Sequence, residues 1–95
     1  MKVWLIDDEA LLLNCFSELL VDSGFDVVGL ESAMDATPNP GDVMVVDVSA
    51  MKKFGLPKID SSVKVIYISG DPNEEIVTLC KPFSIDDLVS KIKGV

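Results

Sequence analysis

The sequence predicts an α/β domain built on an open, five-stranded parallel sheet. Two observations carry this. Five short apolar runs, KVWLI, FDVVGL, VMVVD, VKVIYI and IVTLC, are spread along the chain. Most are near-continuous rather than alternating, as expected for strands buried on both faces. Two longer segments, one near each end of the chain, instead repeat apolar residues at helical spacing. At 95 residues the chain makes one domain, 1–95, with room for a single core.

KVWLI (2–6) is the first strand. Asp8 can cap the helix after it, with Glu9 in the first turn, where negative charge suits the helix dipole. That helix runs to about Asp22, with Leu12, Cys15, Phe16, Leu19 and Leu20 as its buried stripe, and Gly24 ends it. FDVVGL (25–30), VMVVD (43–47), VKVIYI (63–68) and IVTLC (76–80) are strands two to five. Ser84 and Asp87 form a capping box for a last helix, whose stripe is Ile85, Leu88, Val89 and Ile92.

The middle connections are short. Residues 31–42 hold two prolines and support about one turn of helix near Ser32–Ala36. Residues 48–62 hold Gly55 and Pro57 and leave room for one short helix. Only residues 69–75 separate strands four and five, whereas a parallel crossover usually takes about a dozen residues or more.

Composition narrows the function classes. No apolar run approaches the roughly 18 residues of a membrane span. The start, MKVWLIDDE, turns acidic too soon for a signal peptide, so a cytoplasmic location is expected. A net charge of −8 argues against direct nucleic-acid binding, which calls for a basic patch. Cys15 and Cys80 match no metal or redox spacing; each sits in an apolar run and is expected to be a buried, reduced thiol.

Chemistry concentrates where strands end. Asp7-Asp8, Asp47, Ser69 and Lys81-Pro82 each follow an apolar run directly. In an open parallel sheet the carboxyl ends of neighbouring strands share one rim, where ligands bind. Three carboxylates with no base among them suit a divalent cation, and an adjacent lysine suits an anion. That is equipment for phosphoryl chemistry on an aspartate. Taken singly, Asp7-Asp8-Glu9 also reads as a helix N-terminus, Ser69 as a loop cap and Lys81 as a solvated lysine. Asp47 is harder to explain as structural, because an ionised carboxylate ending an apolar strand is costly unless paired or ligated.

This ordered set resembles the receiver domains of two-component response regulators. Their pattern is an acidic pair after the first strand, a phospho-accepting Asp after the third, Ser or Thr after the fourth, and Lys-Pro after the fifth. Gly55 fits the glycine in the loop after the acceptor. The resemblance implies the flavodoxin-like strand order 2-1-3-4-5, with the first and last helices intact and the three middle crossover helices shortened or lost. It implies a cis Lys81-Pro82 peptide. It also implies Mg²⁺-dependent phosphorylation of Asp47, with a histidine kinase or phosphotransfer protein as donor. Asp47 is then the nucleophile, Lys81 neutralises one phosphoryl oxygen and Ser69 hydrogen-bonds another. Asp8 and Asp47 ligate the metal directly, Asp7 helps through water, and the Ser49 backbone carbonyl completes the protein ligands. Ser49 and Asp71 flank the phosphoryl group and tune its hydrolysis. On this reading the chain is a phosphoacceptor signalling domain rather than an enzyme. With no effector domain after Val95 in the sequence, either its output is expected through protein contacts or the effector has been cut away.

Given that order and right-handed crossovers, both strong helices cover one face and all three abbreviated connections lie on the other. Met34, Met51, Phe54, Leu56 and Ile59 then fold down as a lid, leave an apolar surface for a partner or a homodimer, or do both. Thr78, three residues before Lys81, stands where the family often has an aromatic switch residue. Tyr67 is expected in the core rather than as its substitute. The alternative to a working phosphoacceptor is therefore a receiver-like interaction or dimerisation module that does not switch. An aspartyl phosphohydrolase would want a second acid where Ser49 stands.

Overall fold

The strands of the computed structural model are β1 (Lys2–Ile6), β2 (Asp26–Leu30), β3 (Val43–Asp47), β4 (Lys64–Ser69) and β5 (Leu79–Cys80). The structure describes residues 1–71, 76 and 78–94. All pairings are parallel, in the order β2-β1-β3-β4-β5. Among the described residues three helices accompany them: α1 (Ala10–Asp22), α2 (Val48–Phe54) and α3 (Ile85–Lys93). A 3₁₀ turn at Ala33–Asp35, capped by the Ser32 side chain, is all the helix between β2 and β3. The crossovers are thus abbreviated, as the prolines and short spacings require.

Side chains alternate between two cores. Val3, Leu5, Val43, Val45, Ile66 and Ile68 face α1 and α3, meeting Leu13, Leu20, Leu88 and Ile92. Trp4, Ile6, Met44 and Val46 face the other way, onto Ala33, Ala36 and Ala50. Small residues suit that second face because the cover above it is thin. Met51, Leu56 and Ile59 fold down there as a lid and Tyr67 packs beside them, whereas Met34 and Phe54 of the expected lid stay exposed.

α3 forms as its sequence predicts. The Ser84 hydroxyl accepts from the Asp87 N–H, the Asp87 carboxylate accepts from the Ser84 N–H, and Gly94 closes the helix in the left-handed region. α1 differs in two ways. Its N-cap is Glu9, with no side-chain cap, while Asp7 rather than Asp8 accepts from the Glu9 N–H at 2.9 Å. Its buried residues are Leu13 and Leu20, with Phe16 packed beside them, so Cys15 and Leu19 turn outward. Ala10–Leu13 is apolar throughout, so spacing alone leaves the inward face ambiguous; contact with β2 decides it. Both cysteines are exposed, against the expectation of burial.

β5 is shorter than the run IVTLC. Thr78 lies beyond the strand: its N–H donates to the Tyr67 carbonyl at 2.8 Å, and its hydroxyl accepts from the Tyr67 N–H at 3.3 Å. A side chain there replaces a ladder acceptor. Val77, also in that run, lies outside the described residues, as do 72–75 of the connection before it.

Two local arrangements make testable stability predictions. Buried Asp42, just before β3, accepts from the N–H groups of Asn39 (2.9 Å) and Lys2 (3.0 Å) and from the Trp4 indole (3.1 Å). These donors, Asn39 foremost, hold its pKa at about 2 rather than 3.8. The depressed pKa adds stability that is complete above pH 3.8 and lost as pH falls through about 2. The urea midpoint of the wild type should therefore fall between those values. Asp42→Asn, less stable at neutral pH, should show a flatter acid limb.

Gly29 of β2 lies under α1, where an added Cβ would meet Ser17 Oγ at 2.9 Å and Leu13 Cδ1 at 3.2 Å. Because Ser17 can rotate aside, Gly29→Ala should cost only about 1 kcal/mol in urea unfolding.

Candidate functional site

Register builds the site. Ile6 pairs with Val46, Asp47 with Ile68, and Ser69 with Cys80. Each strand therefore ends at one rim, and the residues there are Asp7, Asp8, Asp47, Ser69 and Lys81. The Lys81-Pro82 peptide is cis, and the Lys81 N–H donates to the Ser69 carbonyl at 2.7 Å.

Asp47 is at the centre. It is buried, and both oxygens are engaged. Oδ2 accepts from Lys81 Nζ at 2.6 Å. Oδ1 accepts from the Ser49 N–H at 2.9 Å and from the Ser49 hydroxyl at 2.6 Å. Asp47 is thereby the N-cap of α2, which starts at the next residue.

Lys81 Nζ also stands 3.6 Å from Asp7 Oδ2. Asp7 is almost wholly buried, and that oxygen has no hydrogen-bond partner among the described residues. Ser49 Oγ lies 2.9 Å from Asp8 Oδ1, so one hydroxyl bridges two carboxylates. The Ser69 hydroxyl accepts from the Asp71 N–H at 2.9 Å.

The charges respond to these contacts in different directions. Burial raises the pKa of Asp7 above the usual carboxylate value; the Glu9 N–H and Lys81 offset this only in part. Burial also opposes ionisation of Asp47, but the Lys81 ammonium and the two Ser49 donors together outweigh it, and its pKa falls. Burial of Lys81 is likewise outweighed, by Asp47 first and then Asp7, so its pKa rises above 10.5. At neutral pH the centre holds an ionised Asp47 against a charged lysine.

Ser49 reaches this centre differently from the expectation. Inside α2 its backbone carbonyl points along the helix toward the C-terminal end, away from the rim. Its hydroxyl and N–H are what face Asp47. The signal was present in the sequence: VSAMKKF has no helix breaker before Gly55, so the helix can start directly at the strand end.

The donor set suits a hard divalent cation in type. Every group is an oxygen, one buried Asp7 oxygen lacks a hydrogen bond, and a single Ser49 proton serves two carboxylate oxygens. Among the described residues no three acids form a ready cage. Mg²⁺ requires none, since it keeps several waters and takes one or two carboxylates plus phosphate oxygens.

Among the described residues no helix is long and apolar enough to cross a membrane. No family model and no curated protein matches the chain. Solved structures do. A response regulator from Thermotoga maritima superposes with TM-score 0.68 at 18% identity, over 98% of this chain and 94% of that one. A CheY-like receiver domain from Methylobacillus flagellatus gives TM-score 0.71 at 18% identity, over 99% and 97% of the two chains. The receiver domain of the hybrid histidine kinase CckA gives TM-score 0.67 at 20% identity, over 99% and 97%. With its strand order, its abbreviated crossovers and this likeness over nearly its whole length, the chain has the fold of a response regulator receiver domain.

Proposed function

We propose that the chain is a phosphoacceptor domain of two-component signalling, modified at Asp47 by a histidine kinase or a phosphotransfer protein. The observation that carries this reading is the Asp47 carboxylate held between Lys81 and Ser49 at the strand rim, beside Asp7 and Asp8. A kinase-linked receiver domain among its structural neighbours supports the choice of donor. The reading makes the domain a substrate that assists its own modification, acting in the cytoplasm.

Lys81 and the two Ser49 donors outweigh burial at Asp47, so it enters the reaction as the carboxylate. One of its oxygens attacks the phosphorus of a phosphohistidine in line. The O–P bond forms as the P–N bond breaks, and the departing imidazole takes a proton from solvent. The Lys81 ammonium, already at the carboxylate, shifts onto a phosphoryl oxygen, and the Ser69 hydroxyl donates to another. Their contribution is positioning and charge neutralisation, which dominate phosphoryl transfer. Asp8 and Asp47 would hold Mg²⁺, with Asp7 through water; when bound, it neutralises charge shared between these acids and the phosphoryl group.

One observation favours a second reading, a receiver-like module that binds partners without switching. Thr78 is committed to β4 by two hydrogen bonds with Tyr67, so the position of the usual aromatic switch is tied into the sheet. Intact mass after incubation with Mg²⁺ and acetyl phosphate separates the two. A single Mg²⁺-dependent phosphoryl adduct supports the phosphoacceptor. Absence of any adduct, from acetyl phosphate and from a panel of phosphorylated kinases alike, would favour the module.

A further inference from the structure

We infer that the chain self-associates head to tail, with Phe54 of one molecule seated in the cleft between α1 and β2 of the next. Phe54, at the end of α2, is 42% exposed, and Met34, close to the neighbouring Gly55 turn, is 56% exposed. Residues 48–59 carry Lys52, Lys53 and Lys58 and no acid, although the chain as a whole has net charge −8. Lys53 Nζ lies over the Phe54 ring, 5.2 Å from its centroid. This end of α2 is therefore a basic, aromatic knob on an acidic protein.

The complementary shape is on the other side of the sheet. A cleft of about 320 Å³ is lined by Ser17, Glu18, Val21, Asp22 and Val27. Val21 and Val27 make its apolar wall, and exposed Glu18 and Asp22 give it an acidic rim. A phenyl ring fits that volume, and Lys53 beside it would meet the two acids. Aromatic anchors entering a pocket carry much of an interface's energy, while rim charges select and steer the partner.

α1 packs on one face of the sheet and α2 on the other, so a single molecule cannot join its own knob and cleft. The contact must run between molecules. Because it joins two different patches it is heterologous, and it propagates beyond a dimer unless the rotation closes a ring. None of its residues belongs to the Asp47 centre.

Sedimentation equilibrium over a range of protein and salt concentrations tests this. At low salt the average mass of the wild type should rise with concentration past that of a dimer, and added salt should lower it. Phe54→Ser, Lys53→Glu and Glu18→Lys, all at exposed positions, should each raise the dissociation constant roughly tenfold. Lys53→Glu combined with Glu18→Lys in one chain should recover most of that loss. Circular dichroism confirms that each variant is folded. A wild type that stays monomeric at high concentration would overturn the inference. So would association unaffected by Phe54→Ser, or a double variant no better than the single ones.

Discussion

Asp47→Asn is expected to take up no phosphoryl group from acetyl phosphate under conditions in which the wild type gains a single adduct. The amide keeps the size of the side chain, and its carbonyl can still accept from Ser49, which donates at 2.6 Å and 2.9 Å in the wild type. α2 should therefore stay capped and the fold intact. What disappears is the negative oxygen that attacks phosphorus, and no neighbouring acid is placed to replace it. Asp7 is almost wholly buried, with one oxygen accepting from the Glu9 N–H; Asp8 is engaged by Ser49 Oγ. Far-UV circular dichroism and a cooperative melt establish that the variant is folded, and intact mass reads the chemistry. An undiminished adduct on Asp47→Asn would remove Asp47 from the reaction altogether.

Replacement of Lys81 by Met should act on chemistry, metal affinity and stability together. Loss of one preorganised donor at a developing charge typically costs about 10²–10³ in rate, and the same order is expected for phosphoryl uptake. Metal affinity should move the other way. The ammonium, 2.6 Å from Asp47 and 3.6 Å from Asp7, competes with a cation for the same oxygens, so its removal should tighten Mg²⁺ binding measured by calorimetry. Unchanged Mg²⁺ affinity would show that Lys81 and the cation do not share these carboxylates.

Stability should fall at neutral pH, because two buried carboxylates lose their counter-charge. Breaking a buried pair costs about 3–5 kcal/mol; partial exposure of Lys81 reduces this to about 2 kcal/mol. The sign of the pH dependence follows from the shifts. Lys81 has a raised pKa, so its contribution is present below pH 10.5 and lost only as pH rises beyond that. Asp47 has a lowered pKa, so its contribution is complete above pH 3.8 and lost as pH falls through its folded value. Lys81→Met should thus be most destabilised relative to wild type between these limits, and the difference should shrink in acid. A stability deficit that stays constant in acid would mean the cost comes from packing of the lysine stem rather than its charge.

Several elements were determined by the sequence alone, for local reasons. β1 and β3 match their apolar runs residue for residue, because a run buried on both faces leaves little choice of register or face. α3 is specified by Ser84, Asp87 and Gly94, whose roles are local hydrogen bonds and backbone conformation. The rim position of Asp7, Asp8, Asp47, Ser69 and Lys81 follows from their place at strand ends once the sheet is parallel. Other features only the tertiary structure decided, because they depend on contacts between distant segments. The inward face of α1 was set by Leu13 and Leu20 against β1 and β2, and with it the exposure of Cys15. The length of β5 was set by a Thr78 hydroxyl competing for the edge of β4. The part played by Ser49 was set by where α2 begins relative to the rim: a helix starting directly at Asp47 turns the carbonyl away and the hydroxyl inward, between two acids that the sequence holds 39 residues apart.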